Sequence, residues 1–115
     1  MNNTIEQRPW GQFEIMHEST DCKLKRITVN PGGVLSLQSH KHRDEFWRIT
    51  SGMAIVQFDD EEFSLIEGDF IEIPRGVIHR VSNNADTPLV FIELQTGDYF
   101  GEDDIIRYED IYNRS

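Results

Sequence analysis

The chain is poor in cysteine and in positive charge. Cys22 is its one cysteine, and 11 lysines and arginines stand against 21 acidic residues, a formal charge of −10 over 115 residues. A lone cysteine cannot close an intramolecular disulfide, so a reducing compartment is expected. An acidic chain with no basic stripe repels nucleic acid and anionic lipid, and neither is expected as a partner. A solvated acidic surface that keeps the protein in solution accounts for the charge. Long apolar runs are missing too: none approaches the ~20 residues that span a bilayer. Residues 1–10 lack the apolar stretch of a secretory signal. The expectation is a cytoplasmic protein with no membrane association.

Helical periodicity is equally scarce, while short β-rich runs recur at even spacing. They cover residues 13–18, 23–30, 34–39, 45–50, 53–59, 62–66, 69–73, 79–82 and 89–95. Turn chemistry separates them, as in Asn30-Pro31-Gly32-Gly33, Ser51-Gly52 and Pro74-Arg75-Gly76. In residues 101–115, Ile105, Ile106, Tyr108, Ile111 and Tyr112 fit a short strand followed by a helical turn. The expected architecture is all-β: a single domain over 1–115, folded as a jelly-roll β-barrel with a short C-terminal helical turn. Within it, 1–12 form an arm, 13–95 the barrel and 96–115 an extension.

Two segments carry chemistry. In the first, Gly32 is followed after five residues by Gln38, then Ser39, His40, four residues, Glu45, six residues and Gly52. In the second, Gly68 is followed after five residues by Pro74-Arg75-Gly76, two residues, His79, three residues and Asn83. Strand alternation puts Ser36, Gln38 and His40 on one face, with Glu45 opening the next strand towards that row. Two imidazoles, a carboxylate and an amide oxygen could thus meet inside the fold and hold one divalent ion. Core-facing histidines can also be satisfied by backbone, but four ligand-type residues at four such positions favour the ion. His42 is open to three readings: a fifth ligand, a catalytic group or a solvated loop residue.

The two segments resemble the paired motifs of the cupin superfamily, with Gln38 standing at the first histidine position. Taking His40-Lys41-His42 as the family's histidine pair would misplace Gly32 and Glu45. Further motifs follow in order, among them Arg8-Pro9-Trp10-Gly11, Lys25-Arg26-Ile27, Ile78-His79-Arg80, Gln95-Thr96-Gly97-Asp98-Tyr99 and Gly101-Glu102-Asp103-Asp104-Ile105. From Arg8 to about Tyr112 the chain resembles the isomerase domain of type II phosphomannose isomerases, often fused behind a mannose-1-phosphate guanylyltransferase.

The resemblance implies metal-dependent interconversion of mannose 6-phosphate and fructose 6-phosphate. Zinc is the leading ion, with manganese, iron, nickel or cobalt as alternatives. His42 is the expected base, Arg43 a catalytic and phosphate-binding group, and Lys25 and Arg80 further substrate contacts. The domain is expected to stand alone, without nucleotide transfer of its own, as a homodimer and beside a separate guanylyltransferase. Phe46 replaces a usual family histidine, and Arg48 a usual aliphatic residue. Two other classes stay open: a non-catalytic metal- or carbohydrate-binding module, and a cupin enzyme of other chemistry, such as a dioxygenase or another sugar isomerase.

Overall fold

The structure, a computed structural model, describes residues 4–113. Eleven strands are formed: β1 (Thr4–Arg8), β2 (Gly11–Glu18), β3 (Cys22–Val29), β4 (Leu37–Ser39), β5 (Arg43–Ser51), β6 (Met53–Phe58), β7 (Glu61–Ile66), β8 (Phe70–Ile73), β9 (His79–Ser82), β10 (Leu89–Gly97) and β11 (Ile106–Glu109). They pair antiparallel in two sheets. One runs β1-β2-β3-β10-β5-β8, the other β11-β4-β9-β6-β7.

Alternation along each strand builds the core between the sheets. Phe13, Ile27, Phe91 and Ile49 come from neighbouring strands of the larger sheet, and Val56, Leu65 and Val81 from the smaller; all are buried in one cluster. The crossing from β5 to β6 passes through Gly52, whose φ of 84° suits glycine and whose Cβ would strike the Pro88 carbonyl.

Two expectations about architecture are overturned. The strands form two open sheets and no closed barrel, so the jelly-roll barrel is not what the chain builds: pairing stops at β1 and β8 in one sheet and at β11 and β7 in the other. The expected C-terminal helical turn is absent as well, and no helix occurs among the described residues. Ile106 and Arg107 pair instead with Ser39 and Gln38 on β4, so the sheet takes the backbone hydrogen bonds a helix would have used. After β11 a single turn, closed by Asn113 N–H to the Asp110 carbonyl at 3.1 Å, brings the Tyr112 hydroxyl to accept from the Val34 amide. Residues 1–3 of the expected arm and 114–115 of the expected extension lie outside the described residues. The rest of the arm contains β1, a strand paired with β2.

Candidate metal centre and its cavity

The polar side chains sit at one end of the inner faces. On β5, Arg43, Glu45, Trp47 and Ile49 alternate inward and all are buried. On β10 the inward series is Leu89, Phe91, Glu93, Gln95, again apolar at one end and polar at the other. Register aligns the two series: Phe91 faces Ile49, Glu93 faces Trp47 and Gln95 faces Glu45. On the other flank Glu93 faces Lys25 of β3. The polar ends line a cavity of about 110 Å³ between the sheets.

His40, Glu45 and His79 meet on its wall, all buried, each offering a ligand atom within 4.8 Å of the others. His40 follows β4, His79 opens β9 and Glu45 lies in β5, so both sheets contribute. His40 Nδ1 is 2.7 Å from the Asp104 carbonyl oxygen, and His79 Nδ1 is 3.0 Å from that of Val77. A carbonyl only accepts, so each Nδ1 carries a proton, and in the neutral ring Nε2 keeps the lone pair that can ligate an ion. Those lone pairs look towards the Glu45 carboxylate, His40 Nε2 at 3.2 Å from Oε2 and His79 Nε2 at 3.9 Å from Oε1.

Burial would raise the pKa of Glu45, but the Arg43 guanidinium, 2.8 Å from Oε2, and the other positive potential around it outweigh burial and hold it at about 2. Trp47 Nε1 donates to the other oxygen at 2.9 Å. Burial, the largest influence on His40, lowers its pKa and favours the neutral imidazole. The donor set is therefore one anionic carboxylate and two imidazole nitrogens aimed at it, and it fits a divalent ion. The Arg43 guanidinium already satisfies it in part: Nη2 also donates to His40 Nε2 at 3.3 Å. A positive group rests on the lone pairs that would ligate a cation. Gln38 lines the same cavity and pairs across β4 and β9 with His79.

Residues 2–110 match the family model described as mannose-6-phosphate isomerase C-terminal. The chain belongs to that family. It is 48% identical over 108 residues to the xanthan biosynthesis protein XanB of Xanthomonas campestris pv. campestris, covering 94% of this chain and 23% of that one. To the alginate biosynthesis protein AlgA of Pseudomonas aeruginosa it is 46% identical over 114 residues, 99% of this chain and 24% of that one. A mannose-1-phosphate guanylyltransferase of Salmonella muenchen is 43% identical over 102 residues, 89% of this chain and 22% of that one. The chain thus spans under a quarter of the length of these relatives. The capsular polysaccharide assembling protein CapF of Staphylococcus aureus shares the fold, with a TM-score of 0.84 at 21% identity over 96% of this chain and 33% of that one.

The remaining expected site residues of this isomerase-family domain divide sharply. Lys25 lines the cavity, its Nζ over the Phe13 ring at 4.0 Å and bonded to Glu102 at 2.9 Å. Arg43 lies inside, as described. His42 is outside the cavity wall: its side chain is exposed, its Nδ1 is 3.3 Å from Asp98 and its ring meets Tyr99 edge-on. Arg80 also turns away, donating to the Leu35 carbonyl and to Glu109. Phe46 points to the outer face and stacks against Phe70 at 5.5 Å, so the departure from the family pattern does not touch the cavity. Arg48 alternates outward with it and is exposed.

Sequence reasoning missed three groups. Glu93 lies on the wall beside the metal centre, and its inward position was signalled by alternation with Leu89 and Phe91. Asp104 braces the ligand segment: beyond its carbonyl bond to His40, its carboxylate accepts from the amides of Lys41 and His42, each at 2.9 Å. Glu102 spans Lys23 and Lys25 at 2.7 and 2.9 Å. The latter two act across more than 60 residues of sequence, and only the folded sheets bring them to the site.

Proposed function

We propose that this domain interconverts mannose 6-phosphate and fructose 6-phosphate. The observation that carries the reading is the buried His40–Glu45–His79 set on the wall of a cavity that Arg8, Lys25 and Arg107 also line, in a chain of the mannose-6-phosphate isomerase C-terminal family. His40, Glu45 and His79, with the Gln38 amide, would hold one divalent ion, zinc being our first choice. When bound, that ion would supply Lewis acidity to the sugar oxygens at the reacting carbons.

The chain's own residues do the rest. Trp47 and Phe91 line the cavity with packed rings, their centroids 4.8 Å apart. Arg43 and Trp47 orient the Glu45 carboxylate through two donated hydrogen bonds and an ion-pair contact from Arg43 Nη2. The cavity is smaller than the ~300–1,000 Å³ that enclose drug-sized ligands, so the reacting end enters and the phosphate stays near the rim. Lys25, Arg8 and Arg107, which line the same cavity, supply cationic donors against the acidic field of the whole chain.

The phosphosugar is thus the ligand we assign. No helix of the described residues is long and apolar enough to cross a membrane, and we read the domain as cytoplasmic. The open sheet edge at β8, beside exposed Phe70, suits pairing with a second copy. Relatives named for guanylyl transfer make such an enzyme the second partner we expect. The test is to supply metal-loaded protein with mannose 6-phosphate and, in parallel, other hexose 6-phosphates. Ketose formed from mannose 6-phosphate supports the reading, and ketose formed only from another sugar replaces the substrate. No turnover of any of them overturns it in favour of a binding module.

A further inference from the structure

An aldose–ketose exchange needs a group that takes a proton from one carbon and returns it to the next. Three acidic side chains stand on the cavity wall: Glu45, Glu93 and Glu102. Glu45 accepts hydrogen bonds from Arg43 and Trp47, which makes it a weak base. Glu102 is tied to Lys23 and Lys25. Among the described residues, Glu93 alone of the three has no cation within hydrogen-bonding distance. It is 5% exposed and accepts from Gln95 Nε2 at Oε1, at 2.5 Å.

The geometry points to Glu93 as the catalytic base, the carboxylate that carries the proton between C1 and C2 of the phosphosugar; this rests on the isomerase reading above. Glu93 sits diagonally from Glu45 on the adjacent antiparallel strand, a relation that spaces such residues by about 7–8 Å and leaves room for a two-carbon fragment between them. In the forward direction the C2–H bond breaks and its proton passes to Glu93. The C–H electron pair becomes the C1=C2 bond, and the carbonyl pair moves to O1, which takes a proton from water. In the second half the O2–H bond breaks, its proton returns to water and its pair forms C2=O. The C1=C2 pair then takes the proton back from Glu93 at C1. No outside oxidant or reductant is needed, since C1 is reduced as C2 is oxidised.

Gln95 supports both states of such a base. Its Nε2 donates to the carboxylate, while its fully buried Oε1 has no partner among the described residues. An amide turned over would offer that oxygen to the protonated acid. Around Glu93 stand Lys25 of β3, Arg43 and Glu45 of β5, His79 of β9 and Arg107 of β11, with Glu102 and Arg8 at the rim. Burial first, and then the Glu45 charge, raise the pKa of Glu93 to about 7 against the opposing pull of Lys25 and Arg43, which suits a base working near neutrality.

The test compares metal-loaded wild type, Glu93→Gln and Glu93→Ala, with metal content and melting temperature measured on each. Glu93→Gln should lose roughly 10²–10⁴ in kcat with KM little changed and metal retained. Glu93→Ala should regain activity when formate is added, a response that a merely structural carboxylate would not give. Wild-type activity should fall as pH drops below about 7, and that limb should be missing from the residual activity of Glu93→Gln. A Glu93→Gln protein as active as wild type, or a Glu93→Ala protein that folds and binds metal but ignores formate, overturns the assignment and leaves the isomerase reading standing. An inactive wild type overturns both.

Discussion

Arg43 Nε donates to Glu45 Oε2 at 2.8 Å inside the protein, with only 7% and 2% of the two side chains exposed. Removing one partner of a buried pair leaves an uncompensated charge and costs about 3–5 kcal/mol. Arg43→Ala should therefore unfold well below wild type when free of metal. A divalent ion at His40, Glu45 and His79 would neutralise Glu45 in its place, so metal should raise the melting temperature more in Arg43→Ala than in wild type. Equal shifts in the two proteins would mean that guanidinium and ion do not share the same lone pairs.

His79 gives the ligand set its second imidazole, and it is 1% exposed. His79→Ala should lower metal affinity by more than the ~10–100-fold typical of losing an outer-shell partner. Titration with a divalent ion, read by calorimetry, checks this. Unchanged affinity would remove His79 from the set.

Asp104 holds the ligand segment by accepting from two backbone amides. Burial opposes its ionisation, but the Lys41 and His42 amides outweigh burial and lower its pKa. A carboxyl with a lowered folded pKa stabilises above its unfolded value of ~3.9 and loses that contribution as pH falls through the folded pKa. Asp104→Ala should be less stable than wild type at pH 7 by about 1.5–3 kcal/mol for each charged hydrogen bond lost, with the gap narrowing in acid. Denaturant melts at pH 7 and in strong acid measure it.

Glu93 acts in the opposite sense. With its pKa raised to about 7, it is protonated in both folded and unfolded chains below ~4.3. Between there and about 7 the unfolded chain releases a proton the folded one retains, so stability falls as pH rises. Glu93→Gln escapes this, and its advantage over wild type should grow to roughly 4 kcal/mol by pH 8, at ~1.4 kcal/mol per pKa unit. A difference independent of pH would mean that Glu93 is ionised throughout.

Lys25 is the cation of the cavity wall nearest Glu93 in register. Lys25→Met should weaken binding of mannose 6-phosphate by about ten- to a hundredfold, the equivalent of one charge-assisted hydrogen bond. Arg80→Met, on the outer side, should leave it unchanged. If the two effects are reversed, the phosphate lies elsewhere.

Much of this site was legible because strand alternation is a local property. Gln38 and His40 share a face by counting in twos, Glu45 was placed on the next strand facing that row, and His79 opens a strand after a turn that Pro74 and Gly76 announce. Arg43 was misjudged by two residues: β5 begins at Arg43 rather than Glu45, so the same alternation that buries Glu45 also buries Arg43 and turns Phe46 outward. Glu93 needed the register of β10 against β3 and β5, and Asp104 needed the docking of the last strand on β4. Neither relation leaves a mark in local spacing. The missing closure of the sheets has the same origin, since alternation fixes which face is buried and not which edges pair.

The account stands on metal-dependent isomerisation in this cavity, and one measurement meets it directly. Protein stripped by a chelator, then reloaded with a divalent ion in stoichiometric steps, is assayed for fructose 6-phosphate formed from mannose 6-phosphate. The account predicts no turnover after stripping and recovery that saturates at one ion per chain, with His79→Ala failing to recover. Turnover that survives complete removal of metal would contradict it.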